Sequence, residues 1–367
     1  MNDTWKRTDD TGAASEPSPP DLRLSVIVPA RNEFRSLGAC LESLISQSER
    51  GFELGKQWEV IVVDDDSSDG TGDLANSAAA RYAGVEVLGA PPLDRSEHAG
   101  FTGKTNACWF GAQRARGAWL LFTDADTVHE PGDLSRAIHE AEKYSAALLS
   151  YSPRQIVSGF WQRAVMPVVF SELASVYPTR RVSDRASTLA AANGQFMLFD
   201  REAYFSVGGH RVVGRDILED VALARNIKRA RLGLRFRYAP EALATRMYRT
   251  MPEMIEGWTK NLALLFPRPL LLAFWRALDL LLFFGLPVLA IALSARPAWQ
   301  PLVILVLWVR TLFRFYGRAA RSNFPAPDIA LSILGVPLFI WLLVRSSIQH
   351  QVAKSVTWKG RSYRSGH

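Results

Sequence analysis

The chain has 367 residues, 48% of them apolar and 22% charged, with a formal net charge of +7. That length suits one large or two modest domains, and two cysteines are too few for a disulfide-stapled framework. The basic residues cluster around apolar C-terminal stretches (Arg310, Arg314, Arg318, Arg321, then Arg345, Lys354, Lys359, Arg361, Arg364), a placement that suits anionic lipid headgroups and argues against a nucleic-acid groove.

Residues 1–20 hold no apolar run. They read as a disordered tail rather than a signal peptide, which leaves the soluble part in the cytosol. LSVIVPA (24–30) is a buried strand, and RNEFRSLGACLESLISQ continues it with an apolar period near that of a helix. WEVIVVDDDSSDGT is a second strand running into acidic and turn residues, DLANSAAARYA a helix and VEVLGA a third strand. GKTNACWFGAQRARG then reads as a helix and AWLLFTDAD as a fourth strand. This alternation predicts an α/β fold with a mostly parallel central sheet, helices on both faces, and functional groups at the C-terminal strand ends. Cys40 and Cys108 fall on helices among apolar neighbours and read as core.

A helix over 131–145 and a strand at ALLSYSPRQ follow, whereas 155–190 is amphipathic and carries no clear assignment. LAAANGQFMLFDREAYFSVGGH reads as strand, turn, short helix and glycine turn. DILEDVALARNIKRARL is a helix opening on a carboxylate pair, and FRYAPEALATRMY supplies one or two late strands. Residues 251–268 form an amphipathic helix with Trp258 and Lys260, suited to lying on a bilayer. Two or three membrane segments are expected within 269–346, from apolar runs near 270–293, 299–316 and 328–345, ahead of a basic cytosolic tail at 347–367. Two arguments conflict here. Basic residues at 310–321 and at 345–364 both belong on the cytosolic side, yet three crossings would put the C-terminus outside. One segment is therefore expected to be re-entrant or interfacial.

Several residues suit chemistry. The end of the first strand (Pro29, Arg31, Glu33) and the acidic end of the second (Asp64, Asp65, Asp66) face each other as two walls of a nucleotide pocket, where carboxylates accept from a uracil imide and from ribose hydroxyls. A solvated turn with Asx caps would produce the same acidic run. Asp124 and Asp126 stand two apart at a strand end, so in an extended strand they point the same way, and a turn there would rotate them yet let both reach one pocket. Two carboxylates suit a hard divalent cation, Mg²⁺ or Mn²⁺, which would hold a diphosphate that the bare carboxylates would repel. Lys104 is placed to touch the same diphosphate, or simply to be solvated at its helix start. On the acceptor side, Glu219 and Asp220 offer a general base, although carboxylates in a first helical turn are also ordinary helix electrostatics. Asn193-Gly194-Gln195 and Gly208-Gly209-His210 are glycine turns suited to lining a sugar, with a structural histidine the alternative for His210.

VPARNE (28–33), VVDDDSSDGT (62–71), Asp124-Ala125-Asp126 and Glu219-Asp220, in this order and spacing, resemble the glycosyltransferase family 2 enzymes of GT-A fold, with the matching pieces covering 24–265. The resemblance implies a GT-A nucleotide-sugar-binding domain over 21–250. It implies a UDP-sugar donor with a divalent cation, Asp65 at the nucleobase, Asp126 on the metal, Asp220 as base, and inversion at the anomeric carbon. GKTNAC (103–108), SVGGH (206–210) and MYRTMPEMIEGWTKNLALL (247–265) are similar to membrane glycosyltransferases that glucosylate carotenoid acids and to hopanoid-associated ones. That finer likeness implies glucose transfer to a lipophilic acceptor, with the active site facing the bilayer near Trp258. It also implies a multi-pass protein of the cytoplasmic membrane with its catalytic domain in the cytoplasm, associating with lipid or carotenoid pathway enzymes.

Two departures matter. Processive relatives carry QxxRW before their membrane helices, whereas MIEGW (254–258) has Met254 and Gly257 at those places, so a single addition is expected. Carotenoid-acid enzymes keep the Glu of the ED pair but not the Asp. Asp220 leans the expectation toward a hydroxyl acceptor, because a carboxylic acid is already ionised at pH 7. A polyprenyl-phosphate sugar transferase is the second reading, left open by Arg246, Arg249, Lys260 and Arg268. A membrane scaffold with a degenerate transferase fold is the non-enzymatic one.

Overall fold

Valine, isoleucine and leucine crowd the first two strands because a strand buried on both faces has no solvent side to alternate with. A computed structural model of the chain describes residues 22–47, 49–93, 100–295, 297, 299–353, 355–358 and 361–364, so the tail expected over 1–20 lies outside the described residues. Ten strands carry the domain: β1 (Leu22–Ala30), β2 (Trp58–Asp64), β3 (Val85–Gly89), β4 (Gly117–Thr123), β5 (Thr127–His129), β6 (Leu148–Ser152), β7 (Arg154–Gln155), β8 (Phe196–Asp200), β9 (Leu234–Tyr238) and β10 (Leu243–Thr245). The central sheet has the order β3-β2-β1-β4-β8-β6-β9. Its pairs are parallel except those of β8, which runs antiparallel to β4 and to β6. β1 and β2 are neighbours, which brings their two C-terminal loops together.

Strand alternation sorts side chains into two cores. Val26, Val28, Val60, Val62 and Leu121 face one side; Ile27, Ile61, Val63, Leu120 and Phe122 face the other. The helices are α1 (Phe34–Ile45), α2 (Thr71–Arg81), α3 (Gly103–Arg114) and α4 (Asp133–Lys143), then α5 (Gly159–Val176), α6 (Thr179–Ser183), α7 (Arg201–Ser206), α8 (Gly209–Val212) and α9 (Glu219–Arg229). α1 and α4 cover the first face with Leu37, Cys40, Leu44, Leu134 and Ile138. α3 and α9 cover the second with Ala107, Cys108, Leu223 and Ile227. Each such aliphatic side chain contributes about 1.5–3 kcal/mol when fully buried.

A small sheet, β5-β10-β7, lies apart from the main one. It clips Thr245 against Thr127 and so holds the chain entering residue 246 beside the turn that follows β4. The late segment thus supplies two strands in different sheets.

The C-terminal part is a helical layer: α10 (Met251–Leu265), α11 (Pro269–Ala292), α12 (Trp299–Ala319) and α13 (Ala326–Ile348). Thr250 and Glu253 form a reciprocal capping box that starts α10. This layer shares a third core with α5, built around Val165, Val168, Trp258, Leu262, Phe339 and Leu342. The stretch 155–190, without assignment from sequence, is therefore mainly α5, whose apolar residues serve this third core rather than the sheet. Beyond α13, Gln349–Ala353 form a π-helical turn, and β11 (Ser355–Trp358) pairs antiparallel with β12 (Arg361–Arg364), so the described residues of the basic tail have regular structure.

One expectation changes and another narrows. α10 does not present Trp258 outward: the indole is 3% exposed and its Nε1 donates to Met166 Sδ at 3.3 Å, because α5 and α13 pack over that face. Among the described residues, two helices are long and apolar enough to cross a membrane, Pro269–Ala292 and Ala326–Val352, the lower of the two numbers expected. α12 is interrupted by Arg310, Arg314 and Arg318.

Candidate active site

The C-terminal ends of β1 and β4, the start of α3, the turn before β8, the first turn of α9 and the segment from β10 into α10 surround a cavity of about 780 Å³. Pro29, Arg31, Glu33, Asp65, Lys104, Asp124, Asp126, Asn193, Glu219 and Asp220 all line it, so one space gathers residues spread over most of the chain. Asp64 and Asp66 do not. Asp64 ends β2 with its carboxylate turned into its own loop, accepting from Ser67 N at 3.3 Å. β2 ends at Asp64 and the backbone turns at Asp66, whose φ is 58°, so of the three aspartates only Asp65 lines the cavity. Gly208, Gly209 and His210 do not line it either. His210 is fully buried against Tyr204 Oη at 2.8 Å, and burial pushes its imidazole down to about 3, which keeps it neutral.

The donor-side wall is knitted from two loops. Asn32 N donates to Ser67 Oγ at 3.0 Å, Ser68 N to Asn32 Oδ1 at 3.0 Å, Glu33 N to Thr71 Oγ1 at 2.8 Å, and Phe34 N to Asp69 Oδ2 at 3.1 Å. Arg31 donates to the Asp65 carbonyl and stands 3.8 Å from the Asp65 carboxylate. Asp69, which reads from sequence as a turn residue, also lines the cavity. Burial works against its charge, but hydrogen bonds from Thr71 and Phe34 outweigh that and hold it below its ordinary range.

Asp124 and Asp126 do not sit on a strand. β4 ends at Thr123, and Thr127 N donates to Asp124 O at 3.1 Å to close a turn. Strand alternation thus fails as the reason they converge; the turn carries both into the cavity. Buried polar groups hold it from beneath. His129 bridges Asp133 Oδ2 at 2.8 Å and Thr123 Oγ1 at 3.0 Å, Thr123 Oγ1 donates to Gln195 O at 2.9 Å, and Gln195 Nε2 donates to Thr245 Oγ1 at 3.0 Å. This chain ties the aspartate turn to the Asn193–Gln195 turn and to β10.

Lys104 is half-buried and paired rather than simply solvated at its helix start. Its Nζ lies 2.8 Å from Asp124 Oδ1 and 3.0 Å from Glu219 Oε1. Burial disfavours its charge, but the two carboxylates raise it well above the ordinary lysine range. Burial likewise opposes ionisation of Glu219, yet Lys104 keeps that carboxyl below its usual range. Asp220 goes the other way: burial first, then the neighbouring Glu219 charge, push it up to about 6. Two adjacent carboxylates are thereby separated, one held below and one lifted above its ordinary range. Gly194 N donates to Asp220 Oδ2 at 3.0 Å and aims it. A side chain at 194 has no room, since a Cβ would lie 2.9 Å from Lys104 Nζ and 3.4 Å from Glu219 Oε1.

The opposite wall comes from residues 246–261. Arg246 and Asn261 line it with Arg246 Nε and Asn261 Oδ1 buried and without a hydrogen-bond partner. Lys260 faces Glu219 and Asp220 from α10, and burial lowers its pKa against their pull. Tyr248, Glu253 and Glu256, unremarked in the sequence, also line this side. Only the clip of β10 onto β5 and the packing of α10 bring them there.

The donor chemistry fits a hard divalent cation held partly by substrate. Two carboxylates, Asp124 and Asp126, enter the cavity, and among the described residues no group of three His, Cys, Asp or Glu is arranged to hold a metal alone. Magnesium-type ions characteristically take one or two carboxylates, with phosphate oxygens and water completing the set.

Residues 25–207 match the family model Glycosyl transferase family 2. The chain is 27% identical over 354 residues to 4,4'-diaponeurosporenoate glycosyltransferase of Staphylococcus haemolyticus (strain JCSC1435), covering 93% of this chain and 88% of that protein. It is 29% identical over 245 residues to the protein of that name from Staphylococcus aureus (strain MRSA252), covering 65% of this chain and 60% of the relative's length. A solved structure, mannosyltransferase PcManGT from Pyrobaculum calidifontis in complex with GDP-Man and Mn2+, aligns with TM-score 0.49 and 17% identity over 92% of this chain and 89% of that one. This chain is a glycosyltransferase of GT-A-like α/β fold whose residues 25–207 belong to glycosyl transferase family 2.

Proposed function

We propose that the protein transfers a single sugar, glucose in the first instance, from a UDP-sugar to a lipophilic acceptor of carotenoid or hopanoid type at a membrane, with inversion of the anomeric carbon. The observation that carries this is Asp220, a carboxyl poised near pH 6 and aimed by Gly194, in the same cavity as Asp124 and Asp126. Asp65, steadied by Arg31, accepts from the base and ribose. Asp124 and Asp126 would hold the divalent cation, which supplies positive charge to the departing diphosphate. The acceptor hydroxyl oxygen bonds to the anomeric carbon while its proton passes to Asp220. The bond from that carbon to the diphosphate oxygen breaks, and its electron pair leaves with the UDP. Lys104 is placed to move from Asp124 toward a bound phosphate. The relatives' name specifies a carotenoid acid, and the apolar helices beside α10 suit an acceptor that stays in the bilayer. The reading places the protein at the cytoplasmic membrane with its cavity on the cytoplasmic side.

Arg246 favours a second reading, in which the acceptor presents a phosphate, as in a polyprenyl phosphate, to a guanidinium that has no carboxylate partner among the described residues. The test is expression of the full chain with labelled UDP-sugars, followed by lipid extraction. Label in a carotenoid or hopanoid glycoside is expected and label in a polyprenyl phosphate selects the second reading. Release of free sugar alone would overturn both.

A further inference from the structure

The last three helices pack in two different ways, and this resolves the conflict between three apolar segments and two basic flanks on one side. α13 is bound to the catalytic domain. Gly335 lies so close to α5 that a Cβ there would overlap the Ala164 carbonyl, Arg163 Nε stands 2.6 Å from Asp328 Oδ1, and Ala263 N donates to Ser346 Oγ at 2.9 Å. Val336, Phe339, Leu342 and Leu343 are buried. Its partner α5 carries Gln162, Arg163, Ser171 and Glu172, a helix too polar for lipid. α11 behaves otherwise. It buries only Ala273 and Arg276, and turns Leu281, Phe284, Val288 and Ile291 outward.

α12 returns antiparallel to α11, with Trp308 Nε1 donating to Phe283 O at 2.8 Å, and exposes Leu302, Val306 and Phe313. Between Asp279 and Arg310 the one charged residue in the sequence is Arg296. The base of the hairpin is tied to α5, with Arg276 Nη1 and Arg318 Nε each 3.1 Å from Glu172 Oε1. Arg310, Arg314 and Arg321 are exposed along that base. Beyond Asp279 at the base, α11 runs thirteen residues to Ala292, about 20 Å of helix against about 30 Å for a hydrocarbon core, so the hairpin enters without crossing.

We propose that α11 and α12 form a hairpin that enters an anionic bilayer and returns, with Arg310, Arg314 and Arg321 among the headgroups, and that α13 does not cross. The residues after α13 then lie on the same side as the cavity, where their basic character belongs. This rests on the reading that the acceptor is met at a membrane.

The experiment uses the full chain in sealed bacterial membrane vesicles and a membrane-impermeant maleimide. Cys40 and Cys108 are both buried and serve as a silent background. Ser77→Cys on α2 marks the catalytic domain, Ser294→Cys the hairpin turn, Arg321→Cys the base and Gln351→Cys the end of α13. The expected result is labelling of positions 77, 321 and 351 from one face and no labelling of 294 from that face. Labelling of 351 only from the opposite face overturns the proposal by making α13 a crossing, and leaves the membrane acceptor standing. Labelling of 294 from the same face as 77 in membrane-retained protein shows the hairpin outside the bilayer, covered by a second copy or in water. A chain washed off the vesicles sinks both this proposal and the membrane acceptor.

Discussion

The two walls of the cavity are built differently. The donor wall is tied loop to loop: backbone amides of Asn32, Glu33 and Phe34 donate to Ser67, Thr71 and Asp69, and Arg31 donates to the Asp65 carbonyl. The acceptor wall, from Arg246 to Asn261, has polar atoms buried without hydrogen-bond partners. Pre-formed hydrogen bonds hold a rigid ligand at little ordering cost. Buried groups left unmatched are costly by about 1–3 kcal/mol each and persist where a ligand completes them. On the proposed function, the difference makes nucleotide binding pre-organised, whereas the acceptor finishes its own site.

That contrast can be broken or sharpened in steps. The largest effect is expected at the charge centre: Asp126→Ala should lower transfer by about 10²–10³-fold or more, the range seen when a positioned electrostatic group is lost, with metal-dependent UDP binding lost and the thermal unfolding midpoint kept. Next comes Asp220→Asn, expected to slow transfer about 10²–10⁴-fold while UDP binding by calorimetry stays as in the unaltered chain. An unchanged rate would remove Asp220 from the mechanism.

Asp220 also sets a pH limb. Its folded pKa lies near 6 rather than the ordinary 3.8, and only the deprotonated form accepts a proton. The rate with a hydroxyl acceptor should therefore fall as pH drops through about 6, not through 4, and Asp220→Asn should lack that limb. A carboxylate acceptor, already ionised, would show a flatter profile. Gly194→Ala should cost about tenfold or more in turnover, because the methyl group displaces Lys104 or Asp220, and crowding of this kind typically costs about 1–3 kcal/mol. The smallest effect is at Arg246→Ala, where the acceptor KM should rise about tenfold with donor KM unchanged, as for loss of a charged hydrogen bond. A rise in donor KM instead would move Arg246 to the diphosphate.

Much of the donor wall was legible in the residues, because its parts are short and local. A strand ending in PARNE and another ending in DDDSSDGT must bring their polar ends together once strands 1 and 2 are neighbours. The acceptor wall was not, because no local pattern says that β10 pairs with β5 and carries Arg246 and Tyr248 to the aspartate turn. Trp258 shows the same limit. An amphipathic helix reads alike whether its apolar face meets lipid or, as here, α5 and α13.

Sequence alone determined the alternating α/β order, the two strand-end acidic clusters, the ED pair and the apolar C-terminal character, since each is carried by periodicity or by residues within a few positions of one another. Only the tertiary structure decided that Asp65 rather than Asp64 reaches the cavity, that a turn and not a strand presents Asp124 and Asp126, that Lys104 bridges Asp124 and Glu219, and that α13 packs on α5. Those facts depend on which surfaces come into contact and how closely, and contact between distant segments leaves no period in the chain to read.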